Sequence, residues 1–580
     1  MDKPGLVRQR LIAIATEALA LLIVVAAAVM VFGMIASTDW EDLFLYNGDS
    51  LVLPLLEQSL AKGEPIHWVF SSQLFVFPEA VLYALSSLVT EGPRAALVLN
   101  GVLNVVVLYA LIRAITGIVL SGLTTRIVRA ATALAVTLAF VTVVLLEFNA
   151  TVNQSAIATT FLTTTYYYGV IVIGLLVVLL VLGLTRAFAP ERWGTRRTIL
   201  FSIALLVPGI LTSFANPLLI VQVFAPLIVA LFFLVISRRL RFLPAGYLTL
   251  LFGVSAVGGL LGRRLFPAFE PGGLAGYVSP DNAGKSVEVL LLSLEQTVAT
   301  ALGVARLIVV TAPILLALVT LGFAIVALFR RTLRDRLTTI EVFTAAFVSA
   351  SAVSLVVGMV VTGSQTTRYL EPLAVFPLLV WIVLVARVLR TGRREWAVAR
   401  MRIGLLTTAA VSIAVLLLSA LAAPQVATMV EGDDYSNPDC LDEFLDGGDA
   451  NGVGSFWLTR PLQLYGTHEG NLLQVLPNLT PLRWMINLGS YEDKTFSYVV
   501  IDDPEFLGVD SLDILGPPQN VIACDDYTIF DFAGTEGEQI LTEIIATGGT
   551  SGAGYSYPYV GDDDEFENIY GSDSEFESIY

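Results

Sequence analysis

The sequence predicts an all-α polytopic membrane domain of about 11 transmembrane helices, then a small α/β extracytoplasmic domain and a disordered acidic tail. Three observations predict it. Hydrophobic residues make up 56% of the 580-residue chain and charged residues 14%, whereas soluble domains carry about 25% charge. Long apolar runs recur as far as residue 423, with arginines gathered at alternate junctions between them. From 424 the composition turns acidic, with Arg460, Arg483 and Lys494 as the basic residues of that region. A basic, very apolar part is thus joined to an acidic, water-soluble part. That balance excludes an ordinary soluble enzyme, a disordered protein and a nucleic-acid binder.

A bilayer core takes about 20 apolar residues in a helix. Runs of this kind lie near 11–37, 95–113, 127–147, 167–186, 198–213, 217–236, 245–262, 303–329, 338–361, 373–389 and 403–423. The first is too long for a signal-peptide core and no clear small-residue cleavage site follows it, so it is expected to be an uncleaved anchor. Orientation follows from the Arg/Lys bias. With the N-terminus cytoplasmic, Arg8 and Arg10, Arg126 and Arg129, Arg196 and Arg197, Arg238, Arg239 and Arg241, Arg330 to Arg336, and Arg387 to Arg402 all fall on the inner side. The expected product is a multi-pass cell-membrane protein with its C-terminal region extracytoplasmic. The stretch 74–90 is also apolar, but as a span it would put Arg113 to Arg129 outside. It is read instead as an interfacial helix on the outer surface, with Phe75, Phe77 and Tyr83 at headgroup depth.

The domains expected are a transmembrane part, 1–423, with a first outer loop at 38–94; an extracytoplasmic α/β domain, 424–546; and a tail, 547–580. In the second, SFWLT (455–459), FSYVVID (496–502) and NVIACDDYTIFDF (520–532) read as strands. Cys440 and Cys524 are the two cysteines, and outside the cell one disulfide is the simplest reading. Two thiols cannot make a Cys-based zinc site alone, and His67 and His468 are far apart in sequence. The tail is a Gly/Ser linker followed by a short duplication, DEFENIY at 564–570 and SEFESIY at 574–580, which cannot bury a core.

The spans hold few ionisable groups and no inverted repeat, which disfavours a transporter. Asn100 and Asn104, one turn apart, read as helix–helix hydrogen-bonding groups. Tyr166, Tyr167 and Tyr168 read as an interfacial belt, and Arg263 and Arg264 as helix anchors. The carboxylates gather just after the first span: Asp39, Glu41 and Asp42 beside Trp40 and Phe44, then Asp49 in Asn47-Gly48-Asp49-Ser50. Outside the cell there is no pool of nucleotide sugars, so a sugar transferase there draws on a polyprenyl phosphate held in the bilayer. One interfacial carboxylate serves such a reaction as general base on the acceptor hydroxyl. The departing lipid phosphate needs its charge neutralised by Arg, Lys or a divalent cation.

On these residues the sequence resembles the GT-C class of membrane glycosyltransferases. That class has many spans, a long first outer loop, an acidic pair just after the first span and often a soluble outer domain. Glu41-Asp42 matches the pair in type and place, with Asp39 a near alternative and Asp49 a second, equally distinctive one. The hinge Thr212 to Pro217 sits where tight outer turns occur in the class, and Thr367-Arg368-Tyr369-Leu370-Glu371-Pro372 resembles its R-Y-x-x-P segment. The resemblance implies a polyprenyl-phosphate sugar donor, an envelope glycan or glycolipid acceptor, a bacterial envelope setting and Arg368 near the donor phosphate. The other reading is a non-catalytic envelope protein whose outer domain and tail bind a partner or glycan.

Overall fold

The computed structural model describes residues 3–150, 155–187, 195–266, 269–270, 279–391, 394–432, 437–502 and 512–548. Among them, nine helices are long and apolar enough to cross a bilayer: Leu11–Ile35, Pro93–Val119, Arg126–Leu145, Arg196–Ala215, Phe242–Leu265, Ala301–Phe329, Thr339–Thr362, Thr367–Thr391 and Met401–Glu431. Two shorter apolar helices, Tyr168–Leu184 and Ile220–Ile236, fall on the two other apolar runs. A helix satisfies its own backbone, which is what a hydrocarbon surrounding demands. Leu318, Val319, Leu406 and Leu421 face outward rather than into the core. Such a surface fits lipid, as a multi-pass membrane protein requires.

The arginine-rich junctions meet at one end of the bundle. Arg239 Nη1 donates to Leu337 O at 2.7 Å. Arg387 Nη1 lies 3.5 Å from Glu341 Oε1, and Arg390 Nη1 donates to Thr338 Oγ1 at 3.2 Å. Thr338 and Glu341 form a reciprocal capping box that starts the helix Thr339–Thr362. Arg113 pairs with Glu17 between the first two long helices.

The other end carries the loop 38–94 and the C-terminal domain. Among the described residues the strands in chain order are β1 (Trp68–Val69), β2 (Phe269–Glu270), β3 (Asn451–Gly454), β4 (Leu472–Gln474), β5 (Ile486–Asn487), β6 (Phe496–Ile501), β7 (Asn520–Ala523) and β8 (Thr528–Asp531). A five-stranded sheet runs β4-β3-β6-β8-β7. β3 is parallel to both β4 and β6, while β8 is antiparallel to β6 and β7. A second sheet, β2-β1-β5, takes one strand from the loop 38–94, one from the segment after Leu265 and one from the C-terminal domain. These three parts are therefore joined at the same end of the molecule.

Several expectations change. The run 455–459 is not a strand but the start of a helix, Phe456–Tyr465. Its aromatic and β-branched residues suggest a strand, but Ser455 accepts the Leu458 N–H as an N-cap, and Leu458 and Leu462 pack on the sheet. The run 520–532 is two strands, not one, folded back so that Cys524 N donates to Tyr527 O. The domain closes with the helix Glu536–Gly548, whose Leu541 and Ile545 cover Phe496 and Val499. The last membrane helix, Arg394–Glu431, runs on beyond 423. Cys440 and Cys524 form a disulfide, with Cα atoms 6.0 Å apart. Within 74–90 only Glu79–Ser87 is helical. Phe75 and Tyr83 are buried in protein, so Val81, Leu85, Leu88 and Val89 are the side chains that face outward. The repeated acidic tail lies outside the described residues.

Candidate functional site

The short helix Trp40–Leu45 forms because one side of it is apolar. Trp40, Leu43, Phe44 and Leu45 are buried, and Phe44 meets Phe32 of the first long helix edge-on at 5.6 Å. That packing turns Asp39 and Asp42 outward to exposed positions and leaves Glu41 half-buried. The chain then makes a tight turn through Asn47-Gly48-Asp49-Ser50. Asn47 Oδ1 accepts the Asp49 N–H at 3.0 Å, the local bond that Asn favours in turns. Ser50 Oγ donates back to Leu43 O at 2.5 Å.

Three distant segments close on this turn. Thr164 Oγ1 donates to Ser50 O at 2.8 Å, and Tyr166 Oη donates to Asp49 Oδ2 at 3.0 Å. Arg368 Nη1 lies 3.9 Å from the same Oδ2. Arg460 Nε donates to Gly48 O at 2.9 Å. The Arg368 guanidinium also sits 5.3 Å from the centre of the Tyr166 ring, within cation–π range. The Asp49 and Arg368 side chains keep 16% and 22% of their surface exposed, so the pair is reachable.

The segments themselves are anchored. Glu147 is buried and accepts the N–H groups of Ile157, Ala158 and Thr159, and Arg306 lies 3.4 Å from its carboxylate. This clamp fixes the path of the chain toward Thr164 and Tyr166. A buried carboxylate needs such partners, because unpaired it costs several kcal/mol. Tyr167 has a φ of 74°, a conformation that bulky residues rarely adopt, and its ring stacks on Tyr369 at 5.1 Å. Such local strain is tolerated where surrounding contacts over-determine it. Gln222 Nε2 donates to Tyr369 O at 3.1 Å, and Thr367 Oγ1 to Ala156 O at 3.2 Å, so the segment carrying Arg368 is fixed at both sides.

The C-terminal domain is part of this construction. An added Cβ at Gly48 would come 2.6 Å from Phe456 Cε1, so the turn packs directly against the helix Phe456–Tyr465. Tyr465 Oη donates to Leu45 O at 2.6 Å, and the Arg94 guanidinium lies 4.2 Å from the Tyr465 ring centre. Arg460 is 3% exposed, and burial holds its guanidinium down to about 10, against the opposing pull of Asp49.

Of the four carboxylates singled out in sequence, Asp49 is the one that meets Arg368, while Asp39 and Asp42 stand at exposed positions. The tyrosines 166–168 are buried, so they are not an interfacial belt; Tyr166 orients Asp49. Asn104 Nδ2 bonds to the carbonyls of Phe161, in the short 3₁₀ helix Thr159–Leu162, and of Thr163 just after it. Arg263 donates to Ser72 O at 2.5 Å, which ties its helix to the loop 38–94, and Ala215 O of the hinge accepts the Leu74 N–H at 2.8 Å. His67 enters the second sheet through its backbone, accepting from Leu488 N. Among the described residues no group of three or more His, Cys, Asp or Glu could hold a metal ion. Tyr166, Thr164 and Arg460 carried no sequence signal for this site beyond their residue types. No protein-family model matches the chain, and no curated protein is similar enough in sequence to match it.

Proposed function

We propose that the protein is a membrane glycosyltransferase of the GT-C type, taking a sugar from a polyprenyl-phosphate donor to an envelope acceptor at the outer face. In this reading all eleven apolar segments cross the bilayer, the arginine-rich end is cytoplasmic and the end bearing Asp49 is extracytoplasmic. The observation that carries the proposal is the Asp49–Arg368 pair, 3.9 Å apart and partly open, where the loop after the first span meets a late span. Asp49 takes the proton from the acceptor hydroxyl. The freed oxygen attacks the anomeric carbon, and the bond from that carbon to the phosphate oxygen breaks. Arg368 faces the charge that develops on the leaving lipid phosphate. Asp49 takes the role of base ahead of Asp42, Glu41 and Asp39, because a bonded tyrosine and a packed turn hold it in place.

The second reading is a non-catalytic envelope protein that binds a partner or glycan. It is favoured by the fact that Asp49 already has two partners, as a purely structural acid would. Lipid-carrier and envelope-glycan analysis of a deletion strain separates the two. The transferase reading expects a sugar-loaded polyprenyl phosphate to accumulate and one envelope glycan to be lost. An unchanged carrier pool with unchanged glycan contradicts it.

A further inference from the structure

The 16-residue helix Ala283–Val298 precedes the membrane helix Ala301–Phe329, at the end of the molecule that bears the C-terminal domain. It is about 24 Å long and is tied at both ends to membrane helices. Just before it, Ser279 N donates to Thr362 O at 2.8 Å, and near its other end Arg306 Nη2 donates to Thr297 Oγ1 at 2.6 Å. Between these points Val289 and Leu290 pack on Leu355, Met359 and Leu370. The helix therefore lies across the end of the bundle rather than rising away from it.

At the α-helical period its side chains fall on three sides. Ser286, Val289, Leu290, Ser293 and Thr297 face the protein and are buried or half-buried. Val287, Leu291, Leu294 and Val298 form a second stripe at helical spacing, each between 41% and 62% exposed. Glu288 and Glu295 stand exposed on the third side, with Leu292 beside them. A helix between protein and water needs one apolar side, and this one has two. The exposed apolar surface of the second stripe continues at Leu302 and Ile308 of the membrane helix that follows.

We propose that this helix lies in the boundary between headgroups and acyl chains of the adjoining leaflet, with Val287, Leu291, Leu294 and Val298 in lipid and Glu288 and Glu295 in water. Lipid is the occupant because the stripe prolongs the surface that the next membrane helix turns to the bilayer. The leaflet thereby holds Val289 and Leu290 against Leu370, two positions after Arg368, and steadies the segment Thr367–Ala374. Neither statement depends on the chain being a glycosyltransferase.

The test uses the purified full-length protein in phospholipid nanodiscs, its disulfide intact. Leu291→Cys, Leu294→Cys, Glu288→Cys and Glu295→Cys are each spin-labelled, and collision with oxygen, which concentrates in lipid, is compared with collision with a water-soluble nickel chelate. Labels at Leu291 and Leu294 should favour oxygen, and labels at Glu288 and Glu295 the chelate. Equal access of the chelate to all four would overturn the lipid placement. So would shielding of Leu291 and Leu294 from both reagents, which would mean that protein covers the stripe. The second readout is amide hydrogen exchange in Leu291→Ser/Leu294→Ser. Exchange across Thr367–Ala374 should quicken by at least about threefold, while β6 of the C-terminal domain is unchanged. Unchanged exchange in Thr367–Ala374 would overturn the link to the Arg368 segment.

Discussion

Asp49 and Arg368 belong to opposite halves of the membrane domain, yet their side chains come within 3.9 Å. Tyr166 lies beside both, donating its hydroxyl to the carboxylate and presenting its ring to the guanidinium. Removing one of these two functions without the other separates them. Tyr166→Phe keeps the ring and loses the donor. If the protein is the transferase proposed, glycan product in a complemented deletion strain falls by about tenfold. The thermal midpoint of the purified protein should move by only a few degrees.

Gly48 lies under the helix Phe456–Tyr465, with Phe456 Cε1 2.6 Å and Arg460 Cδ 3.0 Å from where a Cβ would stand. Gly48→Ala should push the C-terminal domain off the turn. The expected cost is about 1–3 kcal/mol, as for overpacking elsewhere. Limited proteolysis should then cut between Glu431 and the domain faster than in wild type, with the disulfide intact.

Glu79 begins the helix Glu79–Ser87 and is 1% exposed. Burial pushes its carboxyl up to about 7, partly offset by bonds from the backbone N–H groups of Glu79 and Gly169. The unfolded value is near 4.3. Since the folded value is raised, stability from this group is full below about 4.3 and is lost as pH rises to about 7. Glu79→Gln keeps the shape and cannot ionise. Its thermal midpoint should exceed that of wild type at pH 8 by more than it does at pH 5. Equal differences at the two pH values would contradict the assignment.

The disulfide joins the helix Asp439–Leu445 to the end of β7, across 84 positions of sequence. Cys440→Ser should lower the stability of the C-terminal domain by about 2–4 kcal/mol. Denaturant titration followed by near-ultraviolet circular dichroism would measure it.

The membrane helices were legible because their signal is local: an apolar run long enough to cross a bilayer declares itself without knowledge of its neighbours. The pairing of Cys440 with Cys524 was legible because two cysteines in a region expected outside the cell allow a single pair. SFWLT misled because Phe, Trp and Thr favour strands, while the N-cap at Ser455 and the packing of Leu458 and Leu462 decide for helix. The candidate site was half-legible. The carboxylates of 39–49 could be found by type and place, but their ranking could not. What distinguishes Asp49 from Asp42 is contact with Tyr166 and Arg368, which no spacing rule reveals. Arg460 was hidden for a related reason. Nothing in the sequence around an arginine of an acidic soluble region signals burial, and only the docking of the domain places it against Gly48.

The most direct test of the proposed function compares Asp49→Asn with Asp39→Asn/Glu41→Gln/Asp42→Asn in the full-length protein, each restored to a deletion strain at equal membrane abundance. If Asp49 is the base, the single variant loses envelope glycan product by at least a hundredfold, while the triple variant retains most of it. Normal product from Asp49→Asn would contradict the account.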